Sequence, residues 1–192
     1  MMRRFELPIA TGLMLLLLGL STAARADDPF VVDRAELSLN DNLLLLDLVV
    51  DSEIPDYIGI ALDQGFAVPM MFEFEIRARQ AYWFDDRVVS LKQQYLLHYQ
   101  PMLDAFVVFD VNASERHYFD DRKAAVHFIE VVYNYPMLDI SNLAWNEEYY
   151  ARVRFGIDTD ELPQPLKSSS LWDNDWDLQS DWYEWEVMRP GS

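Results

Sequence analysis

The sequence predicts a mainly-β (α+β) fold: a single domain of antiparallel β-sheets, sandwich-like, with about seven or eight strands and two short amphipathic helices packed on it. Most of the chain alternates apolar and polar residues with a period of two, which is typical of strands with one face in a core and one in water. Such strands follow one another along the chain, which favours antiparallel pairing. Only two segments change to helical spacing.

Residues 1–26 have the pattern of a secretory signal peptide. Arg3 and Arg4 precede an uncharged apolar run over 7–20, and the small residues Ala24 and Ala26 are those that an exporting peptidase reads. We therefore expect cleavage after Ala26 and a mature chain that works outside the cytoplasm. The alternative is an uncleaved inner-membrane anchor, although the run is shorter than the about 20 residues that a spanning helix needs.

The mature chain, residues 27–192, has the length of one domain. The full chain of 192 residues has a net charge of −18 at pH 7, and a surface this acidic repels phosphate backbones and anionic head groups. We therefore expect no nucleic-acid partner. No segment after residue 27 suits a bilayer span, so we expect no membrane insertion of the mature chain. The absence of cysteine excludes disulfides and thiolate chemistry.

The first two strands are predicted over 31–39 and 43–50. Asn40, Asp41 and Asn42 lie between them and favour a hairpin turn. The segment 43–50 (LLLLDLVV) is a nearly continuous apolar run, as is 105–111 (AFVVFDV), so both are predicted to be buried on both faces.

Two helices are predicted between the strands. Pro55 suits the first turn of one helix and Gly65 suits its left-handed stop. The second helix is predicted to begin at Asp120 as N-cap and to end before Pro136. The apolar residues of the first helix are Ile54, Ile58, Ala61 and Leu62, and those of the second are Ala125, Phe128, Ile129 and Val132.

The later strands alternate more strictly. Residues 66–79 place apolar side chains on one side and Glu73, Glu75, Arg77 and Arg79 on the other, which predicts one wet face. Similar alternation follows over 89–99 and 149–158, and 182–187 suits a closing strand. Residues 162–192 are interpreted as a proline- and serine-rich loop followed by a tryptophan-rich segment that packs on the domain.

Several motifs occur in a particular order and spacing. They are Pro55–Ile58–Ala61-Leu62–Gly65, MFEFE at 71–75, YWFD at 82–85, LPQPL at 162–166 and WDLQSDW at 176–182. Together they resemble the bacterial exported family called domain of unknown function 4390, over essentially the whole mature chain. The resemblance implies a periplasmic protein of a Gram-negative bacterium, with no established activity and no assigned catalytic residues. It also suggests genes beside two-component nitrogen sensors.

The acidic tail offers one candidate metal site. Asp173, Asp175, Asp177, Asp181 and Glu184, with Gln179 between them, occupy positions 1, 3, 5, 9, 12 and 7 of a calcium loop. Leu178 stands at position 6, where such a loop needs glycine, and flanking helices are not evident. Calcium is the only cofactor that the sequence suggests. The alternative is that these acids solvate an aromatic segment.

The tail also offers a candidate contact surface of Trp172, Trp176 and Trp182. Exposed rings there would stack on a sugar ligand, whereas buried rings would form core. The sequence has no GxSxG or HExxH motif, and His98, His117 and His127 are not spaced as a metal-ligand pair.

Three functions are compatible with the sequence. The first is a non-catalytic exported binding or accessory protein with a protein partner in the cell envelope, modulating an envelope sensor or assembly. The second is a glycan- or peptidoglycan-binding protein that uses the exposed tryptophans. The third is a carboxylate-dependent hydrolase, which requires two converging acids, one of them with a raised pKa.

Overall fold

A computed structural model describes residues 29–80, 84–144, 147–164 and 178–188. In these ranges nine strands form two antiparallel sheets, which confirms the predicted α+β class with one more strand than expected. The three-stranded sheet has the order β1-β2-β7, with β1 at Phe30–Asn40, β2 at Leu43–Ser52 and β7 at Val131–Asp139. The six-stranded sheet has the order β6-β5-β4-β3-β8-β9, with β3 at Val68–Ala78, β4 at Asp86–Gln100, β5 at Ala105–Asp110, β6 at Glu115–Phe119, β8 at Tyr149–Ile157 and β9 at Tyr183–Val187. The helices are α1 at Asp56–Asp63 and α2 at Arg122–Glu130.

The core lies between the two sheets. The ring of Phe155 on β8 lies 5.4 Å from that of Phe30 on β1 and 4.9 Å from that of Phe72 on β3. Helix α2 closes one side, where Phe128 packs against Tyr95 and His117. One apolar cluster thus joins both sheets and both helices.

The first hairpin and the first helix agree with their predictions. Asn40 pairs with Leu43, so the turn contains only Asp41 and Asn42, with Asp41 in the left-handed region. Helix α1 follows Pro55, and Gly65 has a positive φ of 82° just after its end.

The second helix differs from its prediction at both ends. Its N-cap is Asp121 and not Asp120, because the Asp121 carboxylate accepts from the backbone N–H of Ala124 at 2.8 Å. The helix ends at Glu130, and residues 131–139 form β7. Val131 and Val132 pair with Val49 and Leu48 of β2, so β-branched residues follow their preference for a sheet. Val132 therefore does not belong to the helical stripe, and Phe128 is only half-buried.

Two other strand predictions need correction. Strand β5 was expected to be buried on both faces, but only Val107 and Val108 are buried, because its neighbour β6 is short and lies at the sheet edge. The polar face of β3 was expected to be wet, but Glu75 is only 7% exposed. Side chains from neighbouring strands cover it. Among the described residues, no helix is long and apolar enough to cross a bilayer.

Candidate functional site

Charged side chains cover the face of the six-stranded sheet that points away from the core. We call this the outer charged face; its members are Glu73, Glu75, Arg77, Arg87, Lys92, Arg152, Arg154 and Glu184. Strand alternation turns these residues to one side, and the register places opposite charges next to each other. Glu75 lies opposite Arg152, and Arg152 lies opposite Glu184. Glu73 lies between Lys92 and Arg154.

Glu75 is the centre of this face. Its Oε2 accepts from Arg152 Nε at 2.8 Å and from Arg77 Nη1 at 3.0 Å, while its Oε1 accepts from Arg87 Nη1 at 3.2 Å. Burial raises the pKa of Glu75, but the hydrogen bonds from Arg77, Arg152 and Arg87 outweigh that effect and hold the pKa below its usual range. The carboxylate is therefore charged near neutral pH.

Trp182 lies over the same face. Its ring centroid is 4.1 Å from Arg152 Cζ and 4.6 Å from Arg154 Cζ, which is cation–π geometry. Arg154 is held in turn by hydrogen bonds to Glu73. The half-buried indole is thus stacked on two guanidinium groups that are each paired with a glutamate.

Gly156 allows the segment before Trp182 to pass close to β8, which places Trp182 over the outer charged face. Residues 178–180 cross directly over Gly156: Ile157 N–H donates to Leu178 O at 2.7 Å, and Ser180 N–H donates to Phe155 O at 2.7 Å. A Cβ at position 156 would lie 2.2 Å from Leu178 O. Glycine is therefore required at this close approach.

A second buried carboxylate, Asp158, lies at the end of β8. It is 2% exposed, and its Oδ2 is 2.5 Å from Lys92 Nζ and 2.9 Å from Gln94 Nε2. Burial raises the pKa of Asp158, but the hydrogen bond and charge of Lys92, together with Gln94, lower it further than burial raises it.

The carboxyl pKa values that are clearly shifted all move in the same direction. Four carboxyl groups of the described ranges have clearly shifted pKa values, and all four are lowered: Glu75, Asp85, Asp139 and Asp158. The main causes for Asp85 and Asp139 are hydrogen bonds from the backbone N–H groups of Gln80 and Ser141. A general acid near neutral pH needs the opposite shift.

Only two of the five candidate calcium ligands lie within the described residues. Asp173, Asp175 and Asp177 lie outside the described residues, as do Trp172 and Trp176. Glu184 lies on β9, 3.7 Å from Arg152, and Asp181 is exposed. Within the described ranges, no group of three or more histidines and acids could hold a metal ion. Calcium binding stays a prediction, which calorimetric titration of the purified mature chain with calcium tests.

The three histidines lie on different elements. His127 on α2 is 72% exposed and lies 3.5 Å from Glu130, as expected of a solvated face. His117 on β6 stacks on Phe128, with ring centroids 4.4 Å apart. Burial and the charge of Arg116 lower the pKa of His98 on β4.

A family model described as "Domain of unknown function (DUF4390)" matches residues 27–186. The chain belongs to this family. In this DUF4390 protein the matched range includes the whole outer charged face and both buried carboxylates. Neither a search of curated proteins nor a search of solved structures found a match.

Sequence reasoning missed the outer charged face of this DUF4390 protein, although the sequence contains a signal for it. Glutamates alternate on β3 at 73 and 75, and arginines alternate on β8 at 152 and 154. Two strands with alternating charges of opposite sign are complementary once they are neighbours. The sequence does not show that β8 lies next to β3, so each strand separately predicts a wet face.

Proposed function

We propose that this chain is a non-catalytic accessory protein, exported to the periplasm, that binds a protein partner in the cell envelope and modulates a sensor or an assembly there. The observation that carries the proposal is that both buried carboxylates are hydrogen-bonded to basic side chains of the same chain; all four shifted carboxyls accordingly have a lowered and not a raised pKa. These two acids, Glu75 and Asp158, are the most buried carboxylates among the described residues, and each is neutralised by basic side chains. Such pairs stabilise a scaffold and exchange no proton near neutral pH.

The experiment is capture of partners from envelope extract with the purified mature chain, across a series of salt concentrations. We expect one specific partner to be retained, with stronger retention at low salt because the chain is highly charged. Retention of no specific protein at any salt would argue against an accessory role. Complementation of a deletion strain separates this role from catalysis, because Asp158→Asn should remain functional wherever it remains folded and still retains the partner.

If the chain were a hydrolase, the complementation experiment would give the opposite result. If Asp158→Asn or Glu75→Gln keeps the fold and still retains the captured partner, yet abolishes function in the complemented strain, one of these carboxylates takes part in chemistry and the accessory role is wrong. Circular dichroism of each variant establishes that the fold is kept.

Trp182 favours glycan binding as a second candidate function. An indole supported by two guanidinium groups is a rigid platform for stacking, and the ring is only half-buried. Titration with soluble peptidoglycan fragments tests this candidate. Binding that is lost in Trp182→Ala and kept in Tyr133→Ala, an exposed aromatic on β7, supports it; unchanged binding in both variants contradicts it.

A further inference from the structure

Strand β4 is much longer than its neighbour on one side. It pairs with β3 from Asp86 to Leu97, but with β5 only over Tyr95–Gln100. In the ranges that the structure describes, no strand pairs with the β5 side of residues 86–91. Within the described ranges, half of β4 is therefore an unpaired edge, and we call this stretch the free edge of β4.

The direction of the backbone N–H and C=O groups at this edge follows from the hydrogen bonds of the residues that come next in β4. Val111 N–H donates to Gln94 O at 3.0 Å, and Gln94 N–H donates to Asn112 Oδ1 at 2.9 Å, so Gln94 turns its backbone groups toward the β5 side. Asn112 Nδ2 also donates to Lys92 O at 3.0 Å. Because this direction repeats every second residue, Ser90 turns its N–H and C=O to the same side.

An apolar recess opens between the two sheets beside the free edge. Its volume of about 20 Å³ is that of one or two water molecules, which is too small for a small-molecule ligand and suits the tip of one side chain. Leu91 and Gln93, the inward neighbours of Ser90 and Lys92, form part of its wall. The other lining residues are Leu46, Leu48, Phe72, Phe74, Val132, Tyr135 and Met137.

The opposite wall of the recess has a protected edge. Strand β7 contains Pro136, and Asn134 has a positive φ of 52° with its N–H bound to Asp47. Proline and irregular backbone are devices that keep an edge from pairing with another chain. The free edge of β4 contains no proline, so the recess has one blocked edge and one open edge.

The exposed ends of the two ion pairs beside the free edge are cationic. The side chains of Arg87 and Lys92 are 58% and 39% exposed, whereas their partners Glu75 and Asp158 are buried. A segment that approaches the edge therefore meets the cationic ends of these pairs, while Asp86 at the start of β4 is an exposed acid. Charges more than about 8 Å away are largely screened at physiological ionic strength. A second copy of this chain is disfavoured, because pairing two such edges would bring like charges together.

We infer that the free edge of β4 binds an extended segment of the envelope partner, which adds as a strand beside Ser90. The segment places one apolar side chain in the recess and acidic side chains on the outward positions near Arg87 and Lys92. The backbone hydrogen bonds supply affinity, and the recess and cations supply specificity. This inference rests on the proposed accessory function and names its contact surface.

Ser90→Pro is the decisive variant. Proline removes the outward N–H of Ser90, and it leaves the β3 ladder intact because this N–H points away from β3. Ser90→Ala is the matched control.

The probe is a capped peptide of alternating glutamate and valine, and a scrambled peptide of the same composition is its control. We expect the alternating peptide to slow amide exchange at Ser90 in the mature chain, and its affinity to fall about tenfold or more in Ser90→Pro only.

Several results would overturn the inference: slow exchange at Ser90 without peptide, equal binding by both variants, equal binding of the scrambled peptide, or no binding of either peptide. Envelope capture separates this failure from failure of the proposed function. A partner retained equally by Ser90→Pro and Ser90→Ala contradicts the edge and supports the accessory role, whereas no partner with either variant contradicts the accessory role.

Discussion

Arg152 and Glu75 face each other across β8 and β3, and the Nε and Nη2 atoms of Arg152 lie 2.8 Å and 2.7 Å from Oε2 of Glu75. This pair joins strands that are distant in the sequence. Because Arg77 and Arg87 complete the shell of donors, Glu75 is buried on a face that its strand pattern assigns to water. The outer charged face is therefore part of what holds the sheet together.

Glu75→Gln should destabilise the protein by about 2 kcal/mol, because the partly buried Arg77 and Arg152 would lose their shared counter-charge. The measurement is the free energy of unfolding from urea titration at pH 7. Glu36→Gln is the control, since Glu36 is exposed on β1, and it should change stability by less than about 0.5 kcal/mol. Equal effects of the two variants would contradict the structural role of Glu75.

Stability should fall as the solution is acidified below about pH 4.5. The folded-state pKa values of Glu75 and Asp158 lie below their ordinary values of 4.5 and 3.8. A lowered folded-state pKa contributes stability that is present above the unfolded pKa and is lost as pH falls through the folded one. Urea midpoints measured from pH 7 to pH 3 should fall less steeply for Glu75→Gln than for the natural chain, and parallel curves would contradict this assignment.

Much of the fold can be predicted from local patterns. The hairpin at Asp41, the helix between Pro55 and Gly65 and the alternating strand β3 each contain their own signal in the sequence. Strand β7 could not be predicted, because residues 131–135 continue a helical spacing and become a strand only by pairing with β2. Burial of Glu75 likewise depends on the neighbouring strand β8. Tertiary pairing decides both cases.

The two aspartates that precede α2 should differ in their effect on stability. Asp121→Ala should cost about 1 kcal/mol, because it removes the acceptor for Ala124 N–H at the N-cap. Asp120→Ala is the matched control and should cost less than half as much. Thermal unfolding of both variants measures the difference. A larger loss in Asp120→Ala would assign the cap to the residue that the sequence predicted.

Two glycines offer a matched pair of substitutions. Gly156→Ala should destabilise the protein by about 2 kcal/mol, because the new methyl group meets the backbone of Leu178 and Gln179. Gly59→Ala in α1 meets only the end of the Arg122 side chain, which can move. It should be neutral or stabilise by up to about 1 kcal/mol, since alanine is the better helix former. Similar unfolding midpoints for the two variants would contradict the close approach at Gly156.

The sheet order also has a consequence for the rate at which we expect the chain to fold. Strands β3 to β6 follow one another as neighbours and β1 pairs with β2, so both units form through short connections. Strands β7 and β8 must instead return to β2 and β3 across all the intervening chain, and closing such long loops is entropically costly. We therefore expect refolding to be limited by the arrival of these late strands, on the millisecond-to-second scale of proteins rich in non-local contacts. The core between the two sheets can form only once they have arrived.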